Sequence, residues 1–122
     1  LRLEGDNQVA KRYTTTTPTL IIRCMERKTD VIVNFGFFLG SDTTEVTSRI
    51  DKDKAEERSW SISTDHEAVF SPKPIDLIRR LTKAETIFLR LVPYGESPVS
   101  VSFDVRGLEQ GIKQIQETCG WK

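Results

Sequence analysis

The chain has 122 residues, 37% of them hydrophobic and 30% charged, and its 18 Lys and Arg balance 18 Asp and Glu. That length supplies one core with no room for a second domain, and the balance leaves no net field to draw the chain to nucleic acid or an anionic membrane. No apolar run approaches the roughly 20 residues that span a bilayer, so the composition is that of an ordinary soluble globular protein.

Residues 1–17 read as an N-terminal strand or linker. Leu1 and Leu3 point inward before Gly5, Asp6 and Asn7 interrupt as a turn, and the threonine run of Tyr13 to Pro18 reads as a linker. Thr19 to Arg27 and Val31 to Leu39 are β-rich runs separated by Lys28, Thr29 and Asp30, which predicts a hairpin turning at those three residues. Glu45 to Asp51 alternates Val46, Ser48 and Ile50 onto one face, Lys52 to Arg58 is a solvated charged tip, and Ser59 to Ser63 returns with Trp60 and Ile62 inward.

Thr64 to Ser71 is expected to form one helical turn capped by Thr64 or Asp65. Pro74 suits a first helical position, and Ile75, Leu77, Ile78 and Leu81 make a stripe that predicts a helix over Pro74 to Thr82. Ala84 to Val92 carries apolar groups on both faces and is read as a central strand, whereas Val99 to Val105 alternates cleanly after the Pro93 to Pro98 turn. Leu108, Ile112, Ile115 and Cys119 then recur on one face of a single terminal helix. Strands joined mostly by short turns, with helices only late in the chain, give a mainly β (α+β) fold. The expectation is an antiparallel β-sandwich or curled sheet, with one short helix and a C-terminal helix packed on it.

Cys24 and Cys119 are the two cysteines, and they are either two buried thiols behaving as small hydrophobes or one disulfide. Cys24 shares strand parity with Leu20 and Ile22, and Cys119 shares the helix face with Ile112 and Ile115. Both therefore point inward, which favours the bridge. It would close a loop of about 95 residues, worth roughly 4 to 5 kcal/mol in the chain-entropy model. An oxidising compartment such as a bacterial periplasm would follow. A chain starting at Leu1 suits a processed secretory protein or a trimmed one, and no signal peptide is visible.

Catalytic signals are sparse. The single histidine, His66, reads as an exposed surface residue, no cysteine has ligand-spaced neighbours, and no glycine loop would cradle phosphate. No metal or cofactor is expected. Asp51 or Asp53 with Asp104 is the candidate carboxylate pair, of the kind a glycosidase uses. The remaining chemistry is a set of arginines in apolar strands, Arg23, Arg49 and Arg90, with Asp51 and Asp104 as possible partners. Read as outer-face residues, they need only solvent or a carboxylate. Read as a strip, they could bind a carboxylate, phosphate or partner loop, with Trp60 and Trp121 as aromatic anchors, although core packing is the commoner use of a tryptophan.

The segments PTLIIRC (Pro18 to Cys24), SRID (Ser48 to Asp51), LIRRLTKAETIFLR (Leu77 to Arg90), SFDVRGL (Ser102 to Leu108) and CGW (Cys119 to Trp121) occur in this order with a cysteine near each end. In this the chain resembles the VasI/TagO-like family of exported bacterial proteins associated with type VI secretion, whose relatives include phage-like proteins. The resemblance covers roughly residues 18–122 and implies a non-enzymatic, exported β-rich domain with cysteines at the positions of Cys24 and Cys119. The role it implies is periplasmic binding of another protein or an envelope component, with a prophage-encoded hydrolase inhibitor and an envelope-active hydrolase as the alternatives.

Overall fold

The computed structural model describes residues 1–122. Ten strands and three short helices follow one another as β1 (Arg2–Glu4), β2 (Val9–Lys11), β3 (Thr14–Thr16), β4 (Thr19–Met25), β5 (Lys28–Asn34), β6 (Thr43–Ile50), β7 (Glu56–Ile62), β8 (Ala68–Phe70), α1 (Pro74–Leu81), β9 (Thr86–Leu91), β10 (Val99–Asp104), α2 (Leu108–Gly111) and α3 (Lys113–Cys119). Eight strands form one antiparallel sheet in the order β1-β4-β5-β8-β7-β6-β9-β10, and β2 with β3 forms a separate ribbon. The expected mainly β architecture is present, in its curled-sheet form.

The curl follows from what joins the two ends of that order. β1 and β10 are the edge strands, yet Asp6, just after β1, donates its N–H to the Ser102 carbonyl on β10 at 2.8 Å. Asn7 extends the seam with its side chain. Its Oδ1 accepts the Ser102 N–H at 3.1 Å and its Nδ2 donates to the Ser100 carbonyl at 3.0 Å. A carboxamide carries an acceptor and an N–H donor, like a peptide group, so Asn7 continues the ladder where no strand is present. Gly5 permits the approach, because a Cβ there would lie 2.6 Å from a Val101 methyl. The edges meet through this segment without the strand-to-strand pairing that would close a barrel.

Inside the curl, the alternating residues of every long strand converge. Leu20, Ile22, Val31, Val33, Val46, Ile50, Trp60, Ile87, Leu89, Leu91, Val101 and Phe103 belong to one buried cluster of 25 residues. Helix α1 adds Leu77, Ile78 and Leu81, as the stripe required, and α2 with the residue after it adds Leu108 and Ile112. Each fully buried Leu or Ile contributes about 1.5 to 3 kcal/mol relative to exposure.

Several segments depart from expectation. The hairpin turns at Glu26 and Arg27, both with positive φ (52° and 64°), so Met25 pairs with Lys28 and the expected break lies within β5. Thr29 and Asp30 look like turn residues, but each has a tertiary partner. Asp30 faces Arg23 across the ladder, with Oδ2 3.3 Å from the Arg23 Nε, and Thr29 accepts the Trp121 indole N–H at 2.8 Å. At its far end β5 stops at Asn34, whose Oδ1 accepts the Gly36 N–H, so Phe35, Phe37 and Leu39 enter the core from a loop.

The threonine run is not a linker but β3 of the ribbon, held by Thr16 donating to the Phe35 carbonyl. Residues 64–71 do not make a helical turn. The Asp65 carboxylate accepts from the Ser63 hydroxyl and the Glu67 N–H, and the chain then enters β8. β7 starts at Glu56, taking part of the expected charged tip into the sheet, because Glu56 bonds Arg80 of α1 at 3.3 Å. The terminal helix is interrupted at Ile112, leaving α3 with no fully buried residue, and Ile115 is only half-buried.

What holds α3 down is covalent. Cys24 and Cys119 form a disulfide with Cα atoms 5.9 Å apart, spanning 95 residues of sequence. Native protein is expected to show no alkylatable thiol. Reduction should lower unfolding stability in urea by about 4 to 5 kcal/mol, and two reactive thiols in non-reduced, denatured material would contradict the bridge. Asn7→Ala removes the two side-chain bonds of the seam, leaving the Asp6 backbone bond, and should cost about 1 kcal/mol by the same measurement, while an unchanged midpoint would show that the Asn7 carboxamide carries no stability.

Candidate interaction surface

The residues singled out from sequence do not assemble into one site. Trp60 is buried at 3% exposure and faces the core. Arg23 lies on the outer face of β4, paired with Asp30 and 5.7 Å over the Phe70 ring. Arg49 and Arg90 lie on neighbouring strands with the same outward parity, since Thr47 and Arg49 stand opposite Arg90 and Phe88. Arg49 donates to the Asp53 carbonyl at 3.0 Å. Neither Asp51 nor Asp104 pairs with a strand arginine.

Asp51 and Asp104 are each held locally. Asp51 sits in a turn with φ 50°, and its Oδ1 accepts the N–H groups of Glu85 and Thr86 at 3.0 and 2.9 Å, tying the β6–β7 turn to the start of β9. Those backbone donors favour the ionised form and lower the Asp51 pKa. The Asp104 carboxylate makes a two-oxygen contact with Arg106, whose guanidinium and N–H bring its pKa down to about 2 and whose own pKa rises in return. Asp65 is lowered by the Ser63 hydroxyl and the Glu67 N–H. No group of three or more His, Cys, Asp or Glu gathers as metal ligands would.

A different set of residues does gather. Five large hydrophobic side chains are exposed, and four of them, Tyr13, Phe38, Val92 and Tyr94, lie on loops tied together at one pole. Tyr13 is fully exposed beside Arg12 at the β2–β3 tip, and Arg12 forms an ion pair with Glu96 of the 92–98 loop at 2.9 Å. Lys11 donates to the Phe38 carbonyl at 2.9 Å with its ammonium 5.4 Å from the Phe38 ring, whose other neighbour is the His66 imidazole at 5.7 Å. The Tyr94 N–H donates to the Leu39 carbonyl at 3.0 Å, and the Leu39 N–H to the His66 carbonyl at 2.8 Å.

His66 is thus not the exposed surface residue expected. It is half-buried with φ 65°, and its Nδ1 lies 3.0 Å from the Gly40 carbonyl, which makes it the tie between two loops. Polar groups within strands, the natural place to look in the sequence, give no hint of this pole. The available signal was a lone aromatic at a turn, as in Pro93-Tyr94-Gly95, because central turn residues face solvent.

These features define a disulfide-closed, curled β domain that presents pinned aromatic loops at one end. The chain belongs to a type VI secretion family: the family model described as type VI secretion system VasI, EvfG, VC_A0118 matches residues 7–121. No curated protein and no solved structure is matched by the chain. No helix is long and apolar enough to cross a membrane.

The carboxylate geometry sets a pH dependence. A pKa depressed on folding stabilises above the unfolded value, and that stabilisation is lost as pH falls through the folded one. For Asp104 the window runs from 3.8 down to about 2, and Asp51 and Asp65 act in the same direction. Carboxyl-carbon NMR titration should place Asp104 near the bottom of that window, and Arg106→Ala should return it toward 3.8. A native Asp104 titrating at the ordinary value would contradict the pair.

Proposed function

We propose that this protein is an exported accessory domain of the type VI secretion apparatus that works by binding another protein or an envelope component through its aromatic loop pole. Membership of the VasI family supports the link to secretion, and the disulfide supports an oxidising compartment outside the cytoplasm. The observation that carries the surface assignment is the gathering of Tyr13, Phe38, Val92 and Tyr94 at one pole, with Lys11, Arg12 and His66 between them. Binding energy concentrates on rigid aromatic and arginine side chains, and here the loops bearing them are fixed before any partner arrives. The envelope-hydrolase alternative rests on Asp51 and Asp104, and both carboxylates serve local structure.

In a strain whose effector release depends on this protein, the Tyr13→Ser, Phe38→Ser, Tyr94→Ser triple variant should accumulate normally and lose most release. Arg49→Ala with Arg90→Ala on the outer sheet face should retain it. Full release by the triple variant at wild-type protein level would overturn the assignment of the pole.

A further inference from the structure

Beside Tyr94 the pole contains a shallow cavity of about 410 Å³, lined by residues 39–44 together with Val92 and Tyr94. Its size falls in the range of small-molecule sites, roughly 300 to 1,000 Å³. Three properties of the lining narrow the ligand. Tyr94 stands 79% exposed, so a ring face is open to stacking, and Val92 beside it is 46% exposed. Ser41, Asp42 and Thr43 are exposed and their side chains make no hydrogen bond within the chain, leaving two hydroxyls and a carboxylate free to bond a ligand, while Thr44, with the parity of buried Val46, turns to the other face of β6. Finally, the lining holds no Lys, Arg or His, so nothing in it would neutralise a phosphate or carboxylate.

The cavity is also prearranged. Gly40 forms its floor with φ 145°, where a Cβ would crowd Ile62 at 3.2 Å and approach Tyr94 at 3.9 Å. The Gly40 carbonyl is held by His66, the Leu39 carbonyl by the Tyr94 N–H, and the Asp42 carbonyl by the Ile62 N–H at 2.8 Å. The backbone segments that carry the hydroxyls and the Tyr94 ring therefore keep their spacing without a ligand.

From this we infer that the cavity is a glycan-binding site, taking an uncharged sugar unit of an oligosaccharide chain. A pyranose ring has one face of C–H groups, which matches the open Tyr94 ring, and a rim of hydroxyls, which matches Ser41, Asp42 and Thr43. An anionic headgroup lacks a cation here, and an apolar peptide side chain would displace water from Ser41, Asp42 and Thr43 without replacing its hydrogen bonds. The inference rests on the pole being the binding end of the domain and gives one part of that pole a ligand class.

The test is a titration of isotope-labelled protein with chitotetraose, followed by NMR, with cellotetraose as a second saccharide. Amide shifts should be confined to residues 39–44 and 92–96. Tyr94→Ala should weaken binding by about tenfold, Tyr94→Phe should stay close to wild type, and Asp42→Asn should weaken it detectably with an unchanged spectrum elsewhere. Cosedimentation with purified peptidoglycan sacculi and with lipopolysaccharide vesicles separates the two envelope sources of such chains. Absence of shifts with both saccharides at millimolar concentration, together with no cosedimentation, overturns the glycan site, as do shifts centred elsewhere. If saccharide binding fails while the pole variants still abolish effector release, the glycan inference falls and the binding pole stands. Saccharide shifts in this cavity with normal release from the pole variants leave the glycan site standing and remove the pole from secretion.

Discussion

Everything in this structure depends on one sheet folding over a single core tightly enough to bring its own edges together. Eight antiparallel strands twist in one sense, and the resulting curl places β1 beside β10. Two exposed edges would be open to pairing with other chains. Here the seam is covered by Gly5, Asp6 and Asn7, with the Asn7 carboxamide taking the place of a peptide group. Because the seam is short, the interior must be sealed elsewhere by other elements. Helix α1, the α2–α3 segment and the two-stranded ribbon are those seals.

The seals are fastened by different means, and the means follow from what each can bury. Helix α1 has an apolar stripe and is held by the core. Segment α2 contributes Leu108, and Ile112 follows at the break. Helix α3 buries almost nothing, so it relies on Cys119 joined to Cys24 and on Trp121 bonded to Thr29, with Arg79 stacked 5.6 Å from the indole. The ribbon buries Val9 alone and is held by Thr16, Lys11 and Arg12 to loops, which brings its exposed Tyr13 to the pole. The proposed binding end is thus a by-product of how the ribbon is tied to the open end of the curl.

Much of the fold was legible because burial writes a period into the chain. Val99 to Phe103 and Val46 to Ile50 alternate cleanly, Ile87, Leu89 and Leu91 recur at every second position, and each run is a strand with the expected face inward. The α1 stripe and the parity of Cys24 with Leu20 and Ile22 were readable for the same reason, whereas the helix face that was to carry Cys119 is interrupted at Ile112. Errors fell where a polar residue had a partner distant in sequence. Asp30 and Thr29 resemble a turn until Arg23 and Trp121 are placed beside them, and the threonine run resembles a linker until β2 lies alongside. The type I′ turn at Glu26 and Arg27 carries neither glycine nor asparagine, so its usual mark was missing.

By itself, the sequence determined the mainly β class, the inward faces of the strands, the α1 stripe and the strand parity of Cys24 with Leu20 and Ile22, because hydrophobic periodicity is a local property of the chain. Tertiary structure alone decided the strand order, the seam at Asn7, the anchoring of α3 and the dispersal of the arginines among separate partners. It also decided that Tyr13, Phe38, Val92 and Tyr94 share one pole, since they come from three loops separated by as much of the chain as divides residue 13 from residue 94. No local pattern records which loops a curling sheet will bring together.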